Sequence, residues 1–248
     1  MSNLSGKTAL VTGASRGIGA AIARRLAADG ANVAITYKEG AQAAKAVVVD
    51  IERLGRKAAA FKADAADPVA IQRAIDSVVG SFGCIDILVN NAGFMDVSGT
   101  PLEKTSLEIT DQTIFVNVRA PFLFAKGVAP HLSDGGRIIN IGSCLEKRVP
   151  AAGLTLYAMT KAAMTGLTKG LARDLAGRGI TVNQIAPGPI DTDMNPADGP
   201  NADFIRSLTS IGRFGKTVEI ASIVAFLASS ETAFITGADI AVDGGTNI

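Results

Sequence analysis

Histidine, cysteine and tyrosine are scarce in this chain of 248 residues, and tryptophan is absent. Each shortage excludes a chemistry. One histidine, His131, leaves no material for a histidine-rich zinc site or a Ser-His-Asp triad. Two cysteines, Cys84 and Cys144, are too few and too unpatterned for a disulfide framework or a paired-cysteine metal site, so no metal is expected. Charge of one sign is also missing: 24 Lys and Arg against 23 Asp and Glu give a net charge of +1 with no basic block. The electrostatic footprint of a nucleic-acid or anionic-membrane binder is therefore absent. The longest apolar runs, such as "IASIVAFLA", fall well short of the roughly 20 residues that cross a bilayer. The opening "MSNLSGKTALVTG" lacks the charged-then-apolar layout of a signal peptide. With 48% apolar and 19% charged residues, the expectation is a compact, soluble, cytoplasmic protein. Its proton chemistry is left to Tyr, Lys, Asp, Glu or Cys.

What is present is an alternation. Short apolar runs ("KTALVTG", "NVAITY", "AAAFKAD", "IDILVNNAG", "GRIINIGS", "ITVNQIAPG", "ADIAVDGG") take turns with longer amphipathic stretches from end to end. Continuous rather than alternating apolar runs mark strands buried on both faces, as in a parallel sheet. Strand-helix alternation along the whole length predicts an α/β, doubly wound (Rossmann) parallel sheet of seven strands with helices on both faces, in one domain spanning 1–248. One region breaks the rhythm. "PGPIDTDMNPADGPNADF" is a long irregular insertion, and residues of about 190–212 read as a lid over a substrate site.

At the first strand-helix junction stands "TGASRGIG", Thr12 to Gly19. Gly13 suits a tight turn, Gly17 lets a backbone approach a pyrophosphate, and Gly19 lets the helix pack close to the sheet. Free N–H groups and the helix dipole then favour an anion beside Ser15, Arg16, Gly17 and Ile18. The second strand ends in Thr36, Tyr37 and Lys38, where a carboxylate would hold the ribose hydroxyl of NAD(H). Arg16 and Lys38 can instead pair a 2′-phosphate, with Ser15 adding a donor, so NADP(H) is favoured over NAD(H) although Glu39 follows.

Tyr157 and Lys161 lie four apart in the helical pattern "TLYAMTKAAMTGLTKGLARDL", which places them on one face in adjacent turns. A phenol titrates near 10, and an ammonium beside it is expected to lower it towards the working range.

With these residues in view the chain resembles the short-chain dehydrogenases/reductases in their single-domain form, over essentially all its length. The resemblance rests on "TGASRGIG", "NNAG" at 90–93, Asn117 in "FVNVRAPF", "YAMTK", "PGPIDT" at 187–192 and "ITGADIAVDGG". It implies Tyr157 as general acid in carbonyl reduction and base in alcohol oxidation, Lys161 on the nicotinamide ribose, Ser143 on the substrate oxygen, and Asn117 holding a relay water in a locally opened helix. It further implies Asp64 and Ala65 at the adenine, Asn91, Ala92 and Gly93 along the adenosine ribose, and Pro187, Gly188, Ile190 and Thr192 at the carboxamide. The substrate would be a small-molecule carbonyl or alcohol, and the assembly a homotetramer.

One departure stands out. Ser143 and Tyr157 are one residue further apart than in many members, and the extra residue falls in "CLEKRVPAAGLTL". The expectation is a reshaped pocket with Ser143 retained. The loop around Cys144, Leu145 and Ala151, with Met194 in the lid, reads as moderately apolar, against which stand Glu146, Lys147 and Arg148. Two other functions compete: the loops also look similar to a cyclic-di-GMP-binding, biofilm-dispersing subgroup, and many relatives are 3-oxoacyl carrier-protein reductases. The intact Asn-Ser-Tyr-Lys set argues for catalysis.

Overall fold

In the computed structural model, which describes residues 4–248, the first strand β1 (Thr8–Val11) is buried at every position. Its alternate side chains serve two cores: Ala9 and Val11 face one, Leu10 the other. The remaining strands are β2 (Asn32–Tyr37), β3 (Ala58–Lys62), β4 (Ile85–Asn90), β5 (Leu132–Ile141), β6 (Thr181–Pro187) and β7 (Asp239–Val242). All seven pair in parallel in the order β3-β2-β1-β4-β5-β6-β7. The order reverses at β1, between β2 and β4. Parallel pairing brings every carboxyl end to one edge, where ligands of such sheets bind at the reversal.

One core packs helices α1 (Gly17–Ala28), α2 (Ala41–Arg53) and α8 (Thr217–Ala228) on the sheet, through Ile22, Leu26, Val47, Ile220 and Val224. The other packs α3 (Pro68–Phe82), α5 (Ala120–Val128) and α6 (Thr155–Leu175), with Ile75, Phe124 and Val128 against Leu88 and Ile138. Local chemistry starts these helices. Asp67 caps α3 by accepting from Val69 N, with Pro68 in the first turn, and Ser106 caps α4 (Leu107–Ile114) by accepting from Ile109 N.

The apolar pattern of residues 111–132 reads as a long helical region. The structure divides it into α4, a single π-turn at Phe115–Arg119, and α5. The irregular insertion after β6 contains one short helix, α7 (Ala202–Ser207). Among the described residues no helix is long and apolar enough to cross a membrane.

Candidate active site

The carboxyl ends of β1 to β6 build the site. At the end of β1, Thr12 Oγ1 accepts from Asn91 N and Ala92 N, both at 3.0 Å, tying β1 to β4. Asn91 Nδ2 returns to Thr12 O at 2.8 Å and Gly13 O at 3.1 Å. Asn91 thus shapes the glycine turn with its own amide. Gly13 has φ +63°, and a Cβ there would lie 2.8 Å from Ala92 Cα, so only glycine fits.

Helix α1 starts without a side-chain cap and without an acidic residue in its first turn. Helices α3 and α4 satisfy first-turn N–H groups with Asp67 and Ser106, whereas α1, like α2 and α6, has no side-chain cap. What sets α1 apart is that its bare start follows the Gly13 turn at the end of β1, where its N–H groups can meet an anion. That is the observation by which the residues fit a dinucleotide pyrophosphate. Arg16 reaches Asp193 at 3.4 Å, and Gly17 faces the Thr192 side chain, so the glycine turn meets the insertion. Lys38 Nζ pairs with Asp64 Oδ2 at 3.0 Å. Partial desolvation raises the Asp64 carboxyl, but the Ala66 N–H and Lys38 outweigh it and its pKa is lowered overall. The two cations expected to read a phosphate therefore stand half- to largely exposed, each held by a carboxylate. Ile18 and Tyr37 turn their side chains into the first core, and Ile190 joins it. Gly188 presses against the Asp243 backbone, and its N–H donates to Val242 O.

On the other side of the sheet reversal, Tyr157 and Lys161 share a face of α6. Lys161 is buried, donates from Nζ to Ile141 O at 2.9 Å, and lies 5.6 Å from the centre of the Tyr157 ring. Burial pushes its ammonium down to about 8, partly offset by the Glu146 charge. Tyr157 keeps a partly exposed face in a cleft. Desolvation pushes its phenol up to about 12, opposed by a hydrogen bond with Ser143. The lowering expected from Lys161 is outweighed: the ammonium lies across the ring, and burial dominates. Gly93 lies beside both Lys161 Nζ and Asn117 Oδ1, which brings the "NNAG" stretch to the lysine.

Asn117 sits in the π-turn. Its Oδ1 accepts from Phe94 N and its Nδ2 donates to Phe94 O, both at 2.8 Å, and to Thr160 Oγ1 at 3.0 Å. The side-chain amide thus clamps the β4–α4 connection to α6. The opened helix itself agrees with the sequence expectation.

The cleft at Tyr157 is lined by Asp96, Thr100, Thr105, Ile109, Thr113, Gly153 and Leu156. Cys144, Leu145, Ala151 and Met194, named from the sequence, are not among these lining residues. Cys144 is buried, its carbonyl held by Asn247 Nδ2 at 3.0 Å, and Met194 points to solvent. Of the lengthened loop, Gly153 and Leu156 reach the cleft; the rest of the lining beside Tyr157 comes from the β4–α4 connection and from α4 itself. Sequence reading also missed Thr12, Thr160 and the buried chain Asn90–Asn140–Thr168, linked at 2.9 Å per step. Isolated Thr and Asn residues carry no periodic signal; only "NNAG" hinted at Asn90.

Comparison with known proteins agrees with this geometry. Residues 13–247 match the family described as Enoyl-(Acyl carrier protein) reductase. The chain is 45% identical over 244 residues to the cyclic-di-GMP-binding biofilm dispersal mediator protein of Escherichia coli, covering 98% of each. It is 41% identical to the 3-oxoacyl-(acyl-carrier-protein) reductase of Staphylococcus aureus, covering 96% of this chain and 97% of that one. A crystal structure of a short chain dehydrogenase from Burkholderia cenocepacia in complex with NADP superposes with TM-score 0.97 at 55% identity, covering 99% of this chain and 100% of that one. By sequence, fold and site, the chain belongs to the short-chain dehydrogenase/reductase family.

Proposed function

We propose that this protein is an NADP(H)-dependent oxidoreductase that reduces a small ketone or aldehyde to an alcohol, and runs in reverse as a dehydrogenase. The observation that carries the reading is the hydrogen-bonded Ser143–Tyr157 pair opening on a cleft, with buried Lys161 behind it. The uncapped start of α1 supports dinucleotide binding, and the NADP complex of the Burkholderia relative supports the phosphorylated form. When bound, the cofactor supplies or accepts the hydride.

The protein's own part is proton handling and position. Tyr157 Oη, in a site that holds its phenol protonated, donates to the carbonyl oxygen as negative charge develops there. Ser143 Oγ donates a second hydrogen bond to that oxygen. Lys161 holds the nicotinamide ribose, and its positive charge favours the phenolate that results. Asn117 clamps the floor through Phe94 and Thr160. Arg16, Lys38 and Ser15 read the 2′-phosphate, Asp64 and Ala65 flank the adenine, and Asn91–Gly93 and Pro187–Thr192 line the ribose and carboxamide. Residues of about 190–212 close as a lid, which the Arg16–Asp193 pair supports. Exposed Phe122 on α5 and Met159 on α6 support a homotetramer.

A carbonyl panel assayed with NADPH and NADH tests the reading, with 3-oxoacyl thioesters among the substrates. Turnover of a discrete set with NADPH preferred is expected; no turnover of any carbonyl would overturn it. The Escherichia coli relative favours a second reading, a cyclic-dinucleotide-binding regulator. Cyclic-di-GMP binding by calorimetry without any carbonyl turnover would select it.

A further inference from the structure

Behind Ser143 lies a buried polar cluster that the proposed chemistry does not use. The turn Cys144–Glu146 carries the Glu146 side chain, only 3% exposed, inward between α6, β6 and β7. Glu146 Oε2 accepts from Gln184 Nε2 at 2.5 Å and lies 3.4 Å from Thr165 Oγ1. The Asp239 carboxylate stands within hydrogen-bonding reach of Glu146, and its Oδ1 lies 3.3 Å from the same Gln184 nitrogen. Lys147 Nζ pairs with Asp239 Oδ2 at 2.6 Å but is 3.9 Å from Glu146 Oε1, beyond a hydrogen bond.

The cluster is short of donors. Glu146 Oε1 and Gln184 Oε1 are both buried with no donor among the protein's groups. Two carboxylates that close cannot both stay ionised in a dry site, and one proton between them removes both the repulsion and an orphaned acceptor. We propose that Glu146 and Asp239 share one proton, and that this protonated pair is the positioning device that holds Ser143 against Tyr157.

The connection to Ser143 is direct. Glu146 N donates to Ser143 O at 3.2 Å, closing the turn whose first residue is the serine. Gly142, just before it, packs so closely on the Gln184 amide that a Cβ there would lie 2.7 Å from Nε2. Ser143 is thus set between two groups of the cluster. Other titratable groups around Glu146 are Cys144, Lys147 and Arg148 on its own loop, Tyr157 and Lys161 on α6, and Asp239 and Asp243 at β7; β6 contributes none beyond the Gln184 amide. Arg148 is turned away, donating to Thr246 O at 2.7 Å. Desolvation, with the Asp239 charge adding to it, pushes Glu146 up to about 7, while Asp239 is lowered. A raised carboxyl stabilises the fold below its unfolded-state pKa, and that stability is lost as pH rises towards about 7.

The inference rests on the carbonyl-reduction reading for its kinetic arm, so its first test is independent of turnover. Infrared difference titration of the full-length protein should show a protonated-carboxyl band that disappears near pH 7 and is absent from Glu146→Gln. No such band, or one unchanged in the variant, would overturn the proposal. Melting temperature supplies a second readout. Glu146→Gln, whose amide reproduces the bonds of the acid, should gain relative to the parent as pH rises from the ordinary carboxylate range to about 7 and level off above it, and a constant difference would count against it. In kinetics, Glu146→Ala should lower kcat about tenfold or more with little change in NADPH affinity. Glu146→Gln should restore most of that loss and lack the inflection near pH 7 that the parent's kcat should show as the shared proton is lost. Equal kcat losses in the two variants, or an inflection surviving in Glu146→Gln, would overturn it. Loss of all turnover in every variant and the parent, with the band present, would instead remove the reductase reading and leave the shared proton standing.

Discussion

The two halves of the crevice handle charge in opposite ways. At the glycine turn, Arg16 and Lys38 are 69% and 50% exposed, each facing a carboxylate across solvent. Such pairs contribute little individually, about 0–1 kcal/mol. Around α6, Lys161 and the Glu146 side chain are withdrawn from water and Tyr157 meets it only through the cleft, so their protonation is set by what surrounds them. The first half can recognise a ligand by summing many small terms. The second can change the protonation of a reacting group, because only a desolvated site gives charge that leverage. Substitutions in the two halves should therefore differ in kind.

The largest effect belongs to Tyr157→Phe. Loss of the proton donor should reduce carbonyl turnover by about 1,000-fold while NADPH titration by fluorescence stays close to the parent. Near-normal turnover would break the comparison on its catalytic side. Lys161→Met should come next, at about 100-fold in kcat. It should also move the rising limb of alcohol oxidation to higher pH, since the ammonium favours the phenolate.

The parent's own pH profile sharpens the point. Oxidation needs the phenolate, and Tyr157 is held up to about 12, so the rate should climb with pH. The climb should become shallower above about 8, where Lys161 gives up its proton and its help is lost. A stopped-flow profile with chemistry rate-limiting measures both limbs. The smallest effect is expected at the glycine turn. Arg16→Gln with Lys38→Gln should narrow the NADPH-over-NADH preference by about tenfold and leave kcat nearly unchanged. A collapse of kcat there would show that the two halves are not separable.

Legibility followed the range of the interactions. Tyr157 and Lys161 could be paired because a helix puts positions four apart side by side. The glycine turn was readable because Gly13, Gly17 and Gly19 are close in the chain and their lack of side chains is itself the signal. The division of the 111–132 helix was not readable from its apolar pattern; it depends on Asn117 finding Phe94 and Thr160, on other elements. The cleft beside Tyr157 was no more legible, because part of its lining comes from the β4–α4 connection, where Asp96, Thr100 and Thr105 follow no period.

By itself the sequence determined the alternation of elements, the parallel sheet, the anion-ready turn and the shared helix face of tyrosine and lysine. All of these depend on side-chain periodicity and local backbone freedom. Only the tertiary structure decided which carboxylates hold Arg16 and Lys38, that burial raises Tyr157 and lowers Lys161, and that Glu146 meets Asp239 behind Ser143. Desolvation and proton sharing are properties of a packed neighbourhood, and no stretch of chain carries its neighbours with it.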